Sequence, residues 1–255
     1  MLSSVEILIL AAIQGISEFL PVSSAAHLFL VAHYSVFNIQ SLLIDICLHL
    51  GSLLAIIAYF IKDLVSLVKN KDFLIKILLA TMPIVPIGYL FYQTGLINSL
   101  RNIEVIAWMS LIFAILLYFS DKTKVSEKLG ANFSIKSAII IGLFQVISLI
   151  PGVSRSGITI TAGRILGFDR FDSTKISFFL AIPALSAASI LGIYNVYKEG
   201  SPELNFIAII AVIFSFIFSY MTIALFLNFV KKFSLSIFVI YRVVISLILL
   251  TIVYL

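Results

Sequence analysis

Six apolar runs constrain this chain more than any other feature. They fall near residues 41–61, 73–92, 103–119, 176–197, 205–229 and 237–255. About 20 helical residues cross roughly 30 Å of hydrocarbon, so each run is long enough to span a bilayer. In lipid every backbone N–H and C=O must be bonded inside its own segment, which leaves helices as the form for runs of this length. Composition agrees, with 62% hydrophobic and 11% charged residues, where a soluble domain carries roughly 25% charged. A water-soluble globule is excluded, and so is disorder, which needs low hydrophobicity and high charge. The single cysteine, Cys47, excludes a disulfide scaffold.

The formal net charge of +5 comes from 17 Lys and Arg against 12 Asp and Glu. In a soluble domain that balance would point to nucleic acid. Here it reads as the Lys/Arg excess of cytoplasmic loops, and no nucleic-acid partner is expected. Residues 62–76, 120–136 and 230–242 are rich in Lys and Arg, whereas 93–102 holds Arg101 alone and 198–204 holds Lys198 alone. This alternation predicts that residues 62–72, 120–136 and 231–236 are cytoplasmic. Residues 93–102, 198–204 and both termini then face outside. No Lys or Arg occurs in residues 1–40. The basic start of a secretory signal is missing, and the amino terminus reads as mature sequence.

Two further apolar stretches are broken midway. Residues 5–32 carry Gln14, Glu18, Pro21, Ser23, Ser24 and His27, and residues 137–167 carry Gln145, Pro151, Gly152, Ser154, Arg155, Ser156, Gly157, Thr159 and Arg164. Backbone can leave its helix at membrane depth only where protein or a water-filled cavity covers it. Both stretches therefore read as re-entrant helix–turn–helix hairpins. They also resemble each other: Gln, two residues, Ser, a short apolar link, Pro, then paired serines. Each half of the chain is one hairpin followed by three spans. Three is odd, so the second half starts on the opposite side from the first. The expected architecture is an all-α polytopic membrane protein, 1–255 as one integral domain. Its six transmembrane helices and two re-entrant hairpins form an inverted-topology repeat, with halves 1–130 and 131–255. In such repeats the broken elements meet near the midplane and form the site.

Burying an ionisable group in a membrane is costly, which makes each one a functional candidate. Gln14 and Glu18 share a helix face, and Pro21 disfavours helix at Leu20, where the first arm is expected to end. Ser23, Ser24 and His27 follow, placing a carboxylate, two hydroxyls and an imidazole together. A hydroxyl beside a base is the pattern of nucleophilic catalysis. The alternative is that the serines only cap a helix. In the second hairpin Arg155 lies among Ser154, Ser156 and Thr159 at the start of a helix, whose free N–H groups favour anions. This nest suits a phosphate. The alternative is a Glu18–Arg155 ion pair that only locks the hairpins together. Asp45 and His49, one turn apart, could face the site or pair with each other. His33 and Arg164 read as interfacial, and Tyr194, Tyr197 and Tyr220 as membrane-interface anchors.

The segment Gln14-Gly-Ile-Ser-Glu-Phe-Leu-Pro-Val-Ser-Ser24 with His27, and Pro151-Gly-Val-Ser-Arg-Ser-Gly-Ile-Thr159, resemble the two signatures of the undecaprenyl-diphosphate phosphatases, or bacitracin-resistance proteins. Asp45, His49-Leu-Gly51 and Tyr241-Arg242 fit the same family. The resemblance implies hydrolysis of undecaprenyl diphosphate to the monophosphate and phosphate, which recycles a lipid carrier for peptidoglycan synthesis. It implies a bacterial inner-membrane protein with a site opening to the outer side. In its terms Glu18 is a catalytic carboxylate acting as base or metal ligand, and Ser24 is the nucleophile with His27 as partner. Arg155 binds the diphosphate, helped by Gln14, Ser23, Ser154, Ser156 and Thr159. Gln14 stands where many members carry a second carboxylate, and Ala25 and Ala26 replace the usual hydroxyl residue and glycine. A divalent ion, magnesium or calcium, is implied by the resemblance only. A homodimer is compatible with the sequence, which does not specify one. The competing reading is a transporter that flips a phosphorylated polyprenyl lipid, because it too needs a midplane anion site.

Overall fold

The computed structural model describes residues 4–34, 42–69, 71–198 and 206–255. The side chains of His33 and Tyr197, and residues 199–204 of the connection expected at 198–204, lie outside the described residues. Helices account for nearly all of what is described: α1 Ser4–Ser17, α2 Ser24–Tyr34, α3 Leu42–Tyr59, α4 Ile61–Lys69, α5 Lys71–Thr81, α6 Ile84–Gln93, α7 Leu96–Leu100, α8 Ile103–Asp121, α9 Leu129–Asn132, α10 Ile135–Ile147, α11 Arg155–Ile165, α12 Arg170–Lys198, α13 Phe206–Val230 and α14 Ser236–Tyr254. The only β pairing among the described residues is an isolated bridge between Glu127 and Phe168.

Among the described residues, five stretches are long and apolar enough to cross a membrane: 71–93, 103–121, 170–194, 206–230 and 236–254. Four of the expected spans correspond to α8, α12, α13 and α14. Residues 73–92 do not form the expected single helix. They divide into α5 and α6 around Met82 and Pro83, because proline lacks the N–H a continuous helix needs there and crowds the residue before it. The run at 41–61 becomes α3, whose apolar part, 43–59, is shorter than the five. Helix α12 begins six residues before the expected 176, and residues 62–69, expected as loop, belong to α4. Large apolar side chains cover the outside, among them Ile190, Phe206, Leu225, Ile240 and Leu247. Such a surface would aggregate in water and is at home in lipid.

Lipid tails are as apolar as leucine, so helices here associate through close approach and hydrogen bonds rather than hydrophobic burial. Helices α3 and α13 show how. A Cβ on Gly51 would lie 2.4 Å from the Val212 carbonyl, so only glycine lets these backbones meet. Beside it, Ser219 donates to Ser52 at 2.9 Å and Ser215 donates to the Leu48 carbonyl at 2.6 Å. At the far end of α8, Asp121 accepts both Nε and Nη2 of Arg170 at 2.7 and 3.0 Å. Arg164, expected at an interface, is instead buried and donates to the carbonyls of Phe168, Asp121 and Thr123. This clamp anchors the C-terminal end of α11, and with it the helix that carries Arg155.

Candidate active site

Two turns meet inside the bundle. The first joins α1 to α2, and the second joins α10 to α11. Each ends on a serine in the left-handed region, Ser23 with φ 81° and Ser154 with φ 72°, among the described residues the only non-glycine residues there. Serine tolerates such backbone poorly, at a cost of order 1–3 kcal/mol each, and strain of this kind gathers at functional sites. Gly152 has φ 95°, and a Cβ there would sit 2.6 Å from the Ile106 carbonyl. Glycine therefore lets the second turn press against α8.

The first arm ends at Ser17, three residues before the expected Leu20. Glu18 still donates its N–H to the Gln14 carbonyl at 2.9 Å, so its side chain continues the face of Gln14. Its carboxylate is almost fully enclosed and collects three donors. Gln14 Nε2 reaches Oε2 at 3.1 Å, Ser24 Oγ donates to the same Oε2 at 2.7 Å, and Arg155 Nη2 reaches Oε1 at 2.9 Å. The Glu18–Arg155 pair crosses from one turn to the other with both side chains largely buried. Removing two charges from water costs several kcal/mol each. The three charge-assisted bonds, about 1.5–3 kcal/mol apiece, offset that cost. Next to this pair is a cavity of about 100 Å³, lined by Ser17, Glu18, Ser23, Ser24, Ser148, Ser154, Arg155 and the turn 150–152. That is the volume of roughly three waters.

The sequence-predicted residues divide. Glu18, Ser23, Ser24, Ser154 and Arg155 line the cavity. Gln14 lies behind Glu18 and orients it. Ser156 donates to the Leu20 carbonyl at 2.7 Å, stitching one turn to the other. Thr159 spends its hydroxyl on the Arg155 carbonyl and on Ser177 Oγ, at 2.8 and 2.7 Å, with no exposed surface. Neither Ser156 nor Thr159 reaches the cavity. The expected Ser24–His27 pair is not formed: Ser24 faces Glu18 instead. His27 bonds the Ser23 carbonyl through Nδ1 at 2.7 Å and the Tyr241 hydroxyl through Nε2 at 2.5 Å, its ring stacked on that tyrosine. Tyr241 of α14 thus holds the imidazole, which makes no bond to Ser24. His49 bonds the backbone carbonyl of Asp45 rather than its carboxylate, at 2.8 Å, and neither lines the cavity. In the second turn Ser154 caps α11, accepting the Gly157 N–H at 3.2 Å.

Sequence reasoning missed Ser17 and Ser148 as cavity walls. A single constant offset, without a gap, aligns Gln14 with Gln145, Ser17 with Ser148, Val22 with Val153 and Ser23 with Ser154. It also aligns the first residues of α2 and α11, Ser24 and Arg155. Matching the prolines, which are out of step by one, hides this register. The donor set offers one carboxylate, and among the described residues no three His, Cys, Asp or Glu side chains gather to hold a metal. Such a set fits a magnesium-like ion only in company with phosphate oxygens, since that ion uses one or two carboxylates and takes its remaining ligands from substrate and water.

A family model described as bacitracin resistance protein BacA matches residues 7–248. An undecaprenyl-diphosphatase of Pelagibacter ubique is 52% identical over 251 residues, covering 98% of both chains. Those of Dinoroseobacter shibae and Alteromonas mediterranea are 38% and 36% identical, each over at least 96% of both chains. The match runs through both turns and every cavity-lining residue, and with the apolar helices it places this chain, a multi-pass membrane protein, in the bacitracin resistance protein BacA family.

Proposed function

We propose that this protein hydrolyses undecaprenyl diphosphate to undecaprenyl phosphate and inorganic phosphate, recycling a lipid carrier for peptidoglycan synthesis. The observation that carries the reading is one carboxylate, Glu18, bonded at once to a hydroxyl of its own turn and to an arginine of the other. Ser24 Oγ attacks the terminal phosphorus while its proton passes to Glu18 Oε2, 2.7 Å away. The P–O–P bond breaks and the lipid monophosphate leaves, carrying away the proton held by Glu18. Water, deprotonated by the regenerated Glu18 carboxylate, then attacks the phosphoserine; the P–O bond to Ser24 breaks, phosphate is released, and Glu18 returns the proton to the Ser24 oxygen. Phosphoryl transfer is helped mostly by positioning and by stabilising charge on the equatorial oxygens. Arg155 and the N-terminus of α11 supply that stabilisation. A divalent ion arriving with the diphosphate would be held by Glu18 and would neutralise phosphate charge.

Ser17 lines both the cavity and an apolar groove of about 400 Å³ between α1 and α14, walled by Ala12, Ile13, Ile16, Leu20, Ile237 and Phe238. The groove accepts the first part of the polyprenyl chain while the head group sits between the turns. Six spans with two re-entrant hairpins in inverted repeat account for this meeting of turns. The positive-inside pattern has the site opening outward from the bacterial inner membrane. The test needs one compartment: protein purified in detergent is expected to release phosphate from a polyprenyl diphosphate. A pure transporter would release none, yet would move labelled lipid across liposomes.

A further inference from the structure

We propose that Arg242 is a positioning residue of the phosphate site: from α14 it fixes both turns and leaves them with an unbalanced positive charge. This inference rests on the reading of the cavity as a phosphate site. Arg242 is 1% exposed, the largest of the fully buried side chains. It makes no ion pair with any carboxylate among the described residues. All its bonds go to backbone carbonyls of three other elements. Nη2 donates to Gly152 in the second turn at 2.9 Å, Nη1 to Pro21 in the first at 3.5 Å, and Nε to Ser110 of α8 at 3.3 Å. One guanidinium thus ties together the tips that bring Glu18 and Arg155 within 2.9 Å. A buried arginine without a carboxylate is expensive and needs a reason.

Charge supplies the reason. Of the charged side chains bonded to the two turns, Glu18 and Arg155 cancel, and Arg242 remains. An enclosed surplus of one positive charge suits a diphosphate, and it acts over the short distance to the cavity with little solvent screening. Gly157, in the first turn of α11, accommodates the same group: a Cβ there would lie 3.0 Å from Arg242 Nη1. The arginine is a fixed support, and the substrate never needs to touch it.

The proposal separates two effects, holding the turns and lending charge. Arg242→Lys keeps the charge but cannot bridge two carbonyls as a planar fork does. Arg242→Met loses both. The wild type and both variants are purified in detergent, and only the folded fraction from size exclusion is assayed. The readouts are kcat for a polyprenyl diphosphate and the inhibition constant of inorganic pyrophosphate. For Arg242→Met, kcat is expected to fall about thirtyfold and pyrophosphate to bind about tenfold more weakly. For Arg242→Lys, pyrophosphate binding recovers to within about threefold while kcat stays roughly tenfold down. If Arg242→Met does not fold, the lysine variant decides by comparison with the wild type. The proposal is overturned if folded Arg242 variants match the wild type in both readouts, if Arg242→Lys keeps wild-type kcat, or if lysine binds pyrophosphate no better than methionine. A wild type that releases no phosphate would instead bring down the functional reading itself.

Discussion

The two turns share a frame, and two of the positions at which they differ carry the chemistry. Both follow a helix that ends near Gln and Ser, both finish on a left-handed serine, and both open a second helix at the next residue. At the position after the shared serine the first turn has Glu18 and the second has Leu149. At the start of the second helix the first has Ser24 and the second has Arg155. In the proposed mechanism one turn carries the group that attacks and the group that takes its proton. The other carries a cation and a helix N-terminus. A repeated scaffold has been given opposite chemistry on its two copies, and each copy lacks what the other has. The carboxylate that unites them would be an unpaired buried charge without Arg155, and Arg155 would be one without Glu18.

This division can be broken in several ways. The largest effect is expected from Arg155→Ala, which removes a preorganised donor to developing charge worth about 3 kcal/mol, so turnover should fall by at least about two orders of magnitude. Glu18→Ala should do likewise, because Ser24 then has no acceptor for its proton. Near-normal phosphate release by either purified variant contradicts the assignment. Ser24→Ala should abolish the phosphorylated peptide that mass spectrometry of a quenched reaction detects in the wild type; a phosphopeptide that persists places the nucleophile elsewhere. Tyr241→Phe should be milder, lowering turnover only several-fold, since His27 and Tyr241 bond each other and neither touches Ser24. A loss as large as that of Glu18→Ala would mean that the imidazole does the proton transfer. The smallest effect separates the left-handed serines. Ser154→Ala loses a helix cap, about 1 kcal/mol, and should lower the thermal midpoint more than Ser23→Ala. Equal shifts would mean that the cap on α11 adds nothing.

Much of this could be read in the sequence. Apolar run length points to the bundle, and the polar clusters around Pro21 and Pro151 point to the two turns, because polarity at membrane depth is costly. The partner of each polar side chain was not legible. Ser24 and His27 lie one turn apart on paper, yet their orientation depends on Tyr241, more than two hundred residues away. Ser156 and Thr159 sit in the right motif, but a helix sends its side chains around the axis, and only Arg155 points toward Glu18 while those two bond Leu20 and Ser177. Run length alone does not show the break at Pro83 within 73–92. Arg242 was visible, in a segment whose apolar neighbours concealed what it holds.

The central claim is that two turns make one site. A double-mutant cycle on turnover tests it most directly, with Glu18→Gln, Arg155→Gln and the double variant assayed for phosphate release in detergent. Residues acting as one unit are strongly non-additive. The double variant is therefore expected to be no slower than the slower single variant, within about threefold. If the two losses instead multiply, Glu18 and Arg155 act independently, and the turns do not form a single catalytic centre.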